Sequence, residues 1–557
     1  MRLVASVFSN GRKEKIMENK VKFQRFGTMV DCSRNAVMKV DSLKRWIDIT
    51  SDLGYNALLL YTEDTYEVED NPYFGYMRGR YSKEELKEVD AYALSKGMEL
   101  IPCIQTLAHL NAIVAWSDYR PHVDVNDILL VGDEKVYELI DKMFATIAEC
   151  YTTKVVNIGM DEAHMLGRGK YYDLHGEVNR FQIFVEHLKR VAQIADKYGF
   201  TLEMWSDMFF RLATGGKYES EDVSKTQISE EVTKQIPSNV QLIYWDYYHD
   251  DKTHYDNMIK AHEKMKKGTG FAGGLYAWNS IAPYNEFSLR TLVPGLQSCM
   301  DNGVQNVFLT IWGDDGAECS KYAMLPALFY ASEIAKGNND ADDIKVKFEE
   351  KFGISYDTFM LLDLPDSPRK RGMLYNPEKY LFYNDCFTGL LDSTIAGGEN
   401  AQYAYTAEQL SKAAKGTEWR YLFVTQEKLC EVLSVKAELG RQTREIYQSG
   451  DREALLDLIQ KYEVLLAKLQ DFYYAYRKQW FTDNKPHGFD VQDIRIGGVM
   501  RRVQSCKERL QELYYGTIDC IEELEEQQLD FCGARENLAR EITVCGSWKR
   551  AITTNVL

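Results

Sequence analysis

Two adjacent carboxylates, Asp161 and Glu162, close the apolar run KVVNIGMDE (154–162). Like charges so close together raise one of their pKa values, and an acid so tuned can protonate a leaving group near neutrality. A plainer reading has both acids capping the next helix or pairing with Arg168. Other chemistry-bearing residues stand at the ends of comparable runs. They are Asp31 and Arg34, Glu63 and Asp64, His109, Trp205 and Asp207, Trp245 and Asp246, Trp278 and Asn279, and finally Trp312, Asp314 and Asp315. Four Trp in equivalent positions among acids suit a polyhydroxylated ligand, whose C–H faces stack on rings while its hydroxyls pair with carboxylates. Metal chemistry has little support. The nine His form no HxxxH, HxH or His/Cys cluster, and His249 and His254 read as part of a charged, solvated loop. A serine nucleophile would want a GxSxG elbow, which the chain lacks.

The runs that must position these residues are FGTMVDC (26–32), NALLLYT (56–62), MELIPCIQ (98–105), KVVNIGMDE (154–162), TLEMWSD (201–207), VQLIYWD (240–246), GGLYAWN (273–279) and QNVFLTIWG (305–313). Near-continuous apolar strands suit a parallel sheet buried on both faces. Helical patterns fill the gaps. Ser82 and Glu85 make a capping box before SKEELKEVDAYALSKG, and Gly97 stands where a C-terminal cap belongs. Phe181, Phe184, Leu188, Val191 and Ala195 recur at helical spacing. Eight such units predict an α/β fold, a (β/α)8 barrel over residues 1–340. A doubly wound sheet is the alternative, but no GxGxxG turn supports it.

Residues 341–557 have a different texture. Long, charged, Pro-poor stretches with 3.6-residue periodicity predict an all-α helical domain. Between two of them lies FTDNKPHGFDVQDIRIGG, read as a polar loop. An ordinary helix connection is the plainer reading; the alternative is that Trp480 just before it and Asn484, His487, Phe489, Asp490 and Arg495 within it approach the barrel mouth, in the same chain or across a dimer.

The 67 Lys+Arg against 84 Asp+Glu leave a net charge of −17, which argues against nucleic acid or an anionic membrane as partner. With 45% apolar residues the chain can bury a large core, which excludes disordered classes. Eleven scattered Cys with no CxxC pair suit reduced thiols, and the apolar start of MRLVASVFSNGRKEK is short for a signal peptide. A cytoplasmic protein without a membrane span is expected, with a homodimer plausible from its long amphipathic helices.

VNIGMDEAH (156–164) resembles the strand-four signature of glycoside hydrolase family 20, the β-N-acetylhexosaminidases, in which an Asp-Glu pair closes the strand. GTMVDCSRNAV (27–37), NALLLYTED (56–64) and IQTLAHL (104–110) are similar to that family's first three strand segments, in the same order. The likeness covers about residues 20–340 and is to compact bacterial members, which lack the preceding α+β domain and carry a helical C-terminal region.

The resemblance implies an exo-acting, retaining hydrolase of terminal β-linked N-acetylhexosamine that uses the substrate's own acetamido group as nucleophile, with no cofactor or metal. Glu162 would be the acid, Asp161 would orient the amide, and Asp64–His109–Glu162 would form a tuning chain. Tyr276 would bind the acetamido oxygen, with Tyr244 or Tyr247 behind it. Trp205, Trp245, Trp278 and Trp312 would box the sugar, while Asp31, Arg34, Glu63 and Asp314 or Asp315 would read hydroxyls. Two departures stand out. The family's strand-one Arg falls at Phe26, with Arg25 facing the opposite way, and Met160 replaces a Gly before the pair. An ordinary glycosidase with a carboxylate nucleophile and a non-catalytic sugar-binding barrel are the competing readings.

Overall fold

The computed structural model describes residues 21–214, 216, 218, 228–366, 376–531, 533 and 548–556. The N-terminal run read for a signal, Cys532 and Cys545 lie outside them.

Eight parallel strands close into a barrel in chain order: β1 (Arg25–Asp31), β2 (Ala57–Tyr61), β3 (Glu99–Cys103), β4 (Val155–Asn157), β5 (Thr201–Trp205), β6 (Val240–Asp246), β7 (Thr269–Gly274) and β8 (Asn306–Ile311). Most strand positions are apolar on both faces because one face packs inside the barrel and the other under helices. Met29, Leu59, Tyr61, Ile101, Trp205, Ile243 and Phe308 fill the interior. At the N-terminal end Arg25 ion-pairs with Glu203 at 2.8 Å and Glu99 at 2.9 Å, a polar plug far from the strands' C-terminal ends.

The connecting helices include α1 (Val40–Leu53), α2 (Lys83–Ser95), α3 (Glu134–Cys150), α4 (Arg180–Lys197), α5 (Asp207–Thr214), α6 (Lys252–Glu263), α7 (Asn285–Asp301) and α8 (Leu325–Ala335). α2 starts in the full Ser82/Glu85 capping box.

Two strands differ from the sequence reading. β4 is only three residues long, and its partner β3 meets it at the single pair Cys103↔Asn157, so 158–162 leave the sheet. β7 lies four residues upstream of GGLYAWN. Its glycines carry little strand propensity, but the barrel needs them: a Cβ on Gly273 would sit 2.4 Å from Leu292, and one on Gly274 2.8 Å from Tyr247. Tyr276 and Trp278 consequently belong to the loop above β7.

The helical region is built on α9 (Glu399–Lys412), α10 (Arg420–Lys436), α11 (Arg452–Asp483) and α12 (Phe489–Tyr515). Most of the stretch read as a polar loop is helix. Only residues 484–488, holding the breakers Pro486 and Gly488, form a turn between α11 and α12. That turn reaches the barrel mouth within the same chain. Lys485 N–H donates to Val37 at 2.7 Å, Lys39 N–H donates to Asp483 at 3.1 Å, and Met38 bridges Asn484.

Candidate active site

Asp161 and Glu162 follow β4 where the backbone turns sharply. Met160 and Glu162 have φ of 67° and 50°, and Glu63 and His109 are left-handed too, at 43° and 59°. Such backbone costs about 1–3 kcal/mol per residue and persists where surrounding contacts fix it. Here Gln105 does the fixing. Its Oε1 accepts from the Met160 N–H at 3.2 Å, and its Nε2 donates to Asp161 at 2.7 Å and to the Tyr61 hydroxyl at 3.1 Å. Asp161 also meets His109 Nε2 at 3.2 Å. Burial alone would raise the Asp161 pKa, but His109 and Gln105 outweigh it and hold the carboxyl below its usual range. Burial would lower His109, and Asp161 overrides that, raising it to about 9, so it is imidazolium at neutral pH.

Glu162 points elsewhere. Its side chain is 39% exposed, with Oε2 3.8 Å from His109 and Oε1 3.6 Å from Arg211. Its backbone N–H donates to Asp207 at 3.1 Å, and Arg211 grips the same carboxylate at 3.0 Å. Burial, then the nearby Asp161 charge, pushes Asp207 upward.

Arg34 organises the opposite side. It pairs with Asp31 at 3.0 Å, Glu63 at 3.4 Å and Asp314 at 3.8 Å, while its guanidinium lies about 5 Å over the rings of Tyr61 and Trp312. Burial raises Glu63 to about 7, near its titration point at neutral pH.

Among the aromatic residues Trp312 is central. It stands edge-on to Tyr61 at 4.7 Å, and its Nε1 donates to the Tyr247 hydroxyl at 3.0 Å. Trp245 and Trp278 lean on Tyr247 at 5.3 and 5.6 Å. Trp205 differs: almost fully buried, it forms the floor beneath Trp312 instead of a wall.

Against this geometry come the likenesses to known proteins. Residues 23–300 match the catalytic domain of glycosyl hydrolase family 20, and residues 357–543 match the glycoside hydrolase 20C C-terminal domain. The chain belongs to glycoside hydrolase family 20. It is similar to hexosaminidase D of Bos taurus, at 24% identity over 58% of this chain and 95% of the relative. The Homo sapiens hexosaminidase D is 23% identical over 58% of this chain and 68% of its own. A β-N-acetylhexosaminidase structure from Bacteroides fragilis shares 16% identity, with 59% of this chain and 70% of that chain covered and a TM-score of 0.44.

Several expectations taken from family 20 need correction. The Asp64–His109–Glu162 chain is not formed as such. Asp64 is buried but pairs with Arg78 at 2.9 Å, in the loop after β2, and the shorter contact of His109 is to Asp161. Tyr276 is buried against Trp278 at 4.2 Å, with Tyr284 and Phe287 on its other edges, and Tyr244 bonds Asp246, whereas Tyr247 accepts from Trp312. Asp315 turns away from the pocket into ion pairs with Lys379 and Arg495, whereas Asp314 is half exposed. Arg25 lies in the plug at the barrel's other end, and Arg34 is the arginine that reaches the acids Asp31, Glu63 and Asp314. Arg168 meets Glu177, not the carboxylate pair. Met160 keeps a left-handed backbone where the family has Gly.

Sequence reasoning missed Gln105, Tyr61 and Arg211. The first two end their own strand runs, and Arg211 stands four residues after Asp207, one helical turn away. His249 and His254 are also not a solvent loop. Their rings stack at 3.6 Å, and both bond Asp246, at 2.8 and 3.2 Å. These three are donors that could hold a cation, but the carboxylate already engages both rings and the Tyr244 hydroxyl.

Proposed function

We propose that the protein removes terminal β-linked N-acetylglucosamine or N-acetylgalactosamine by substrate-assisted, retaining hydrolysis. The observation that carries this reading is the division between the two carboxylates: Asp161 is held by Gln105 and His109, while Glu162 is half exposed. The substrate's acetamido carbonyl oxygen attacks C1 as Glu162 delivers its proton to the glycosidic oxygen. The C1–O bond breaks, the aglycone leaves as an alcohol, and an oxazolinium ion remains. Asp161 accepts from the acetamido N–H and offsets the positive charge that develops there. Glu162, now a carboxylate, takes a proton from water as it opens the ring at C1. Family 20 is an exception to the two-carboxylate glycosidase scheme for this reason.

Arg34 with Asp31, Glu63 and Asp314 would hold ring hydroxyls, and Trp312, Tyr247, Trp278 and Trp245 would enclose the acetamido methyl and sugar face above the Trp205 floor. Acids crowding one end of the pocket, Asp31 and Glu63 buried among them, suit removal of a terminal unit. Asp64 acts at a distance, by holding Arg78. A thiazoline mimic of the oxazoline should compete with substrate at micromolar concentration or below. Lack of inhibition at millimolar concentration would contradict the mechanism.

A reducing, cytoplasmic compartment is part of this reading, supported by nine described cysteines that are all free, eight of them buried. Among the described residues no helix is long and apolar enough to cross a membrane. A homodimer is proposed on the exposed Tyr474, Ile494 and Tyr515 of α11 and α12, to be checked by sedimentation.

A further inference from the structure

Beside Arg211, whose guanidinium lies 3.6 Å from Glu162, opens a cavity of about 530 Å³, within the size range of small-molecule sites. His164, Arg168, Arg180, Phe181, Arg211 and Glu177 line it. Its charge is unusual for a chain of net charge −17: among the described residues three guanidiniums share it with one lining acid. Arg211 is balanced by Asp207 and lies 3.6 Å from Glu162, which ties the cavity to the site. Arg168 has only Glu177, at 3.8 Å, with that acid's side chain 78% exposed. Among the described residues no acid pairs with Arg180. It donates to the carbonyls of Leu166, at 3.0 Å, and His164. Burial and the neighbouring Arg168 charge both pull its pKa down.

We propose that this cavity receives the unit on the leaving-group side of the scissile bond, and that it selects an aglycone carrying an anionic substituent, a carboxylate or a sulfate ester. The proposal rests on the reading of Glu162 as the acid, because the group that protonates the glycosidic oxygen must stand between the two units. Arg168 and Arg180 would supply the fork of N–H donors that planar oxyanions accept in pairs. The cationic cavity would also offset the repulsion that a strongly acidic protein exerts on an anionic substrate.

The test compares kcat/KM for an N-acetylhexosamine β-linked to a uronate, to a 6-sulfated hexose and to the matching neutral hexose. An advantage of about ten- to a hundred-fold is expected for one or both anionic substrates, shrinking as salt rises. The uronate and sulfate arms show which anion is preferred. Arg168→Gln and Arg180→Gln should each reduce that advantage while leaving a neutral aryl N-acetylglucosaminide within about three-fold of the parent rate. Arg180 also braces the loop after Glu162, so the half-exposed Arg168 carries the test if the Arg180 variant fails to fold. Equal kcat/KM for the anionic and neutral disaccharides would overturn this inference alone. No hydrolysis of the neutral aryl substrate by the parent enzyme would overturn the functional reading and this inference with it.

Discussion

Gln105 and His109 hold Asp161, whereas Glu162 meets only the more distant nitrogens of His109 and Arg211. The difference assigns the roles, and two substitutions check them. Asp161→Asn should lower kcat by roughly 10²–10³-fold, the loss seen when one group that stabilises developing charge is removed, and should weaken the thiazoline in parallel. Glu162→Gln should nearly abolish cleavage of sugar leaving groups yet spare a dinitrophenyl glycoside, whose departure needs no proton. Both would be read from steady-state kinetics. His109 gives a pH prediction with a definite sign. Its folded pKa, about 9, lies above the unfolded value of 6.5, so its contribution is complete below pH 6.5 and is lost as pH rises through 9. The contribution is on the order of 3 kcal/mol at most, since a coupled pair shares it. Thermal midpoints of His109→Gln measured from pH 6.5 to 9 should fall less steeply than those of the parent. At this scale the acid pair, His109, Arg34 and Trp312 were legible because each is a chemistry-bearing residue type at or just after a strand run. Gln105 was not, because an amide gains its meaning only from the three groups it touches.

The loop after β8 carries Trp312 and Asp314 into the pocket and sends Asp315 and Glu318 the other way, into α12 and the segment before α9. Arg495 reaches Glu318 at 2.9 Å and Asp315 at 3.2 Å, and Lys379 meets the same two acids at 2.8 and 2.9 Å. Burial would lower Arg495, but Glu318 and Asp315 raise it, so its guanidinium stays charged. Removing one member of such a buried set leaves an uncompensated charge and costs about 3–5 kcal/mol. Arg495→Ala should therefore destabilise the fold by that order in chemical denaturation and raise KM as Asp314 and Trp312 lose their support. Arg495→Lys should recover part of both. The sequence marked Arg495 as unusual without its partner, since an ion pair spanning 177 residues has no local signature. The displaced β7 has a similar origin: TGFAGG lacks strand propensity, and it is the packing of Ile243, Leu292 and Tyr247 that requires its glycines.

For the whole molecule, the eight-unit alternation and the change of texture near residue 340 were enough to read a barrel followed by helices. What periodicity could not show is how closely the two are joined. Trp419 packs against Tyr322 and Phe352, the Tyr476 hydroxyl donates to the Glu318 carbonyl at 3.1 Å, and the 484–488 turn pairs with the loop after β1. A fragment ending at residue 340 would expose these apolar and charged surfaces together. It should aggregate or show no cooperative unfolding by calorimetry, whereas a soluble fragment with parental kcat would separate the helices from the active site. Part of the −17 now has a place, in Asp31, Glu63, Asp161, Glu162 and Asp314 around one pocket. The central claim, that the substrate supplies its own nucleophile, is tested most directly by aryl β-glucosides with and without the 2-acetamido group, under identical conditions. The account predicts kcat/KM at least about a thousand-fold higher with the acetamido group, and comparable values for the two glycosides would contradict it.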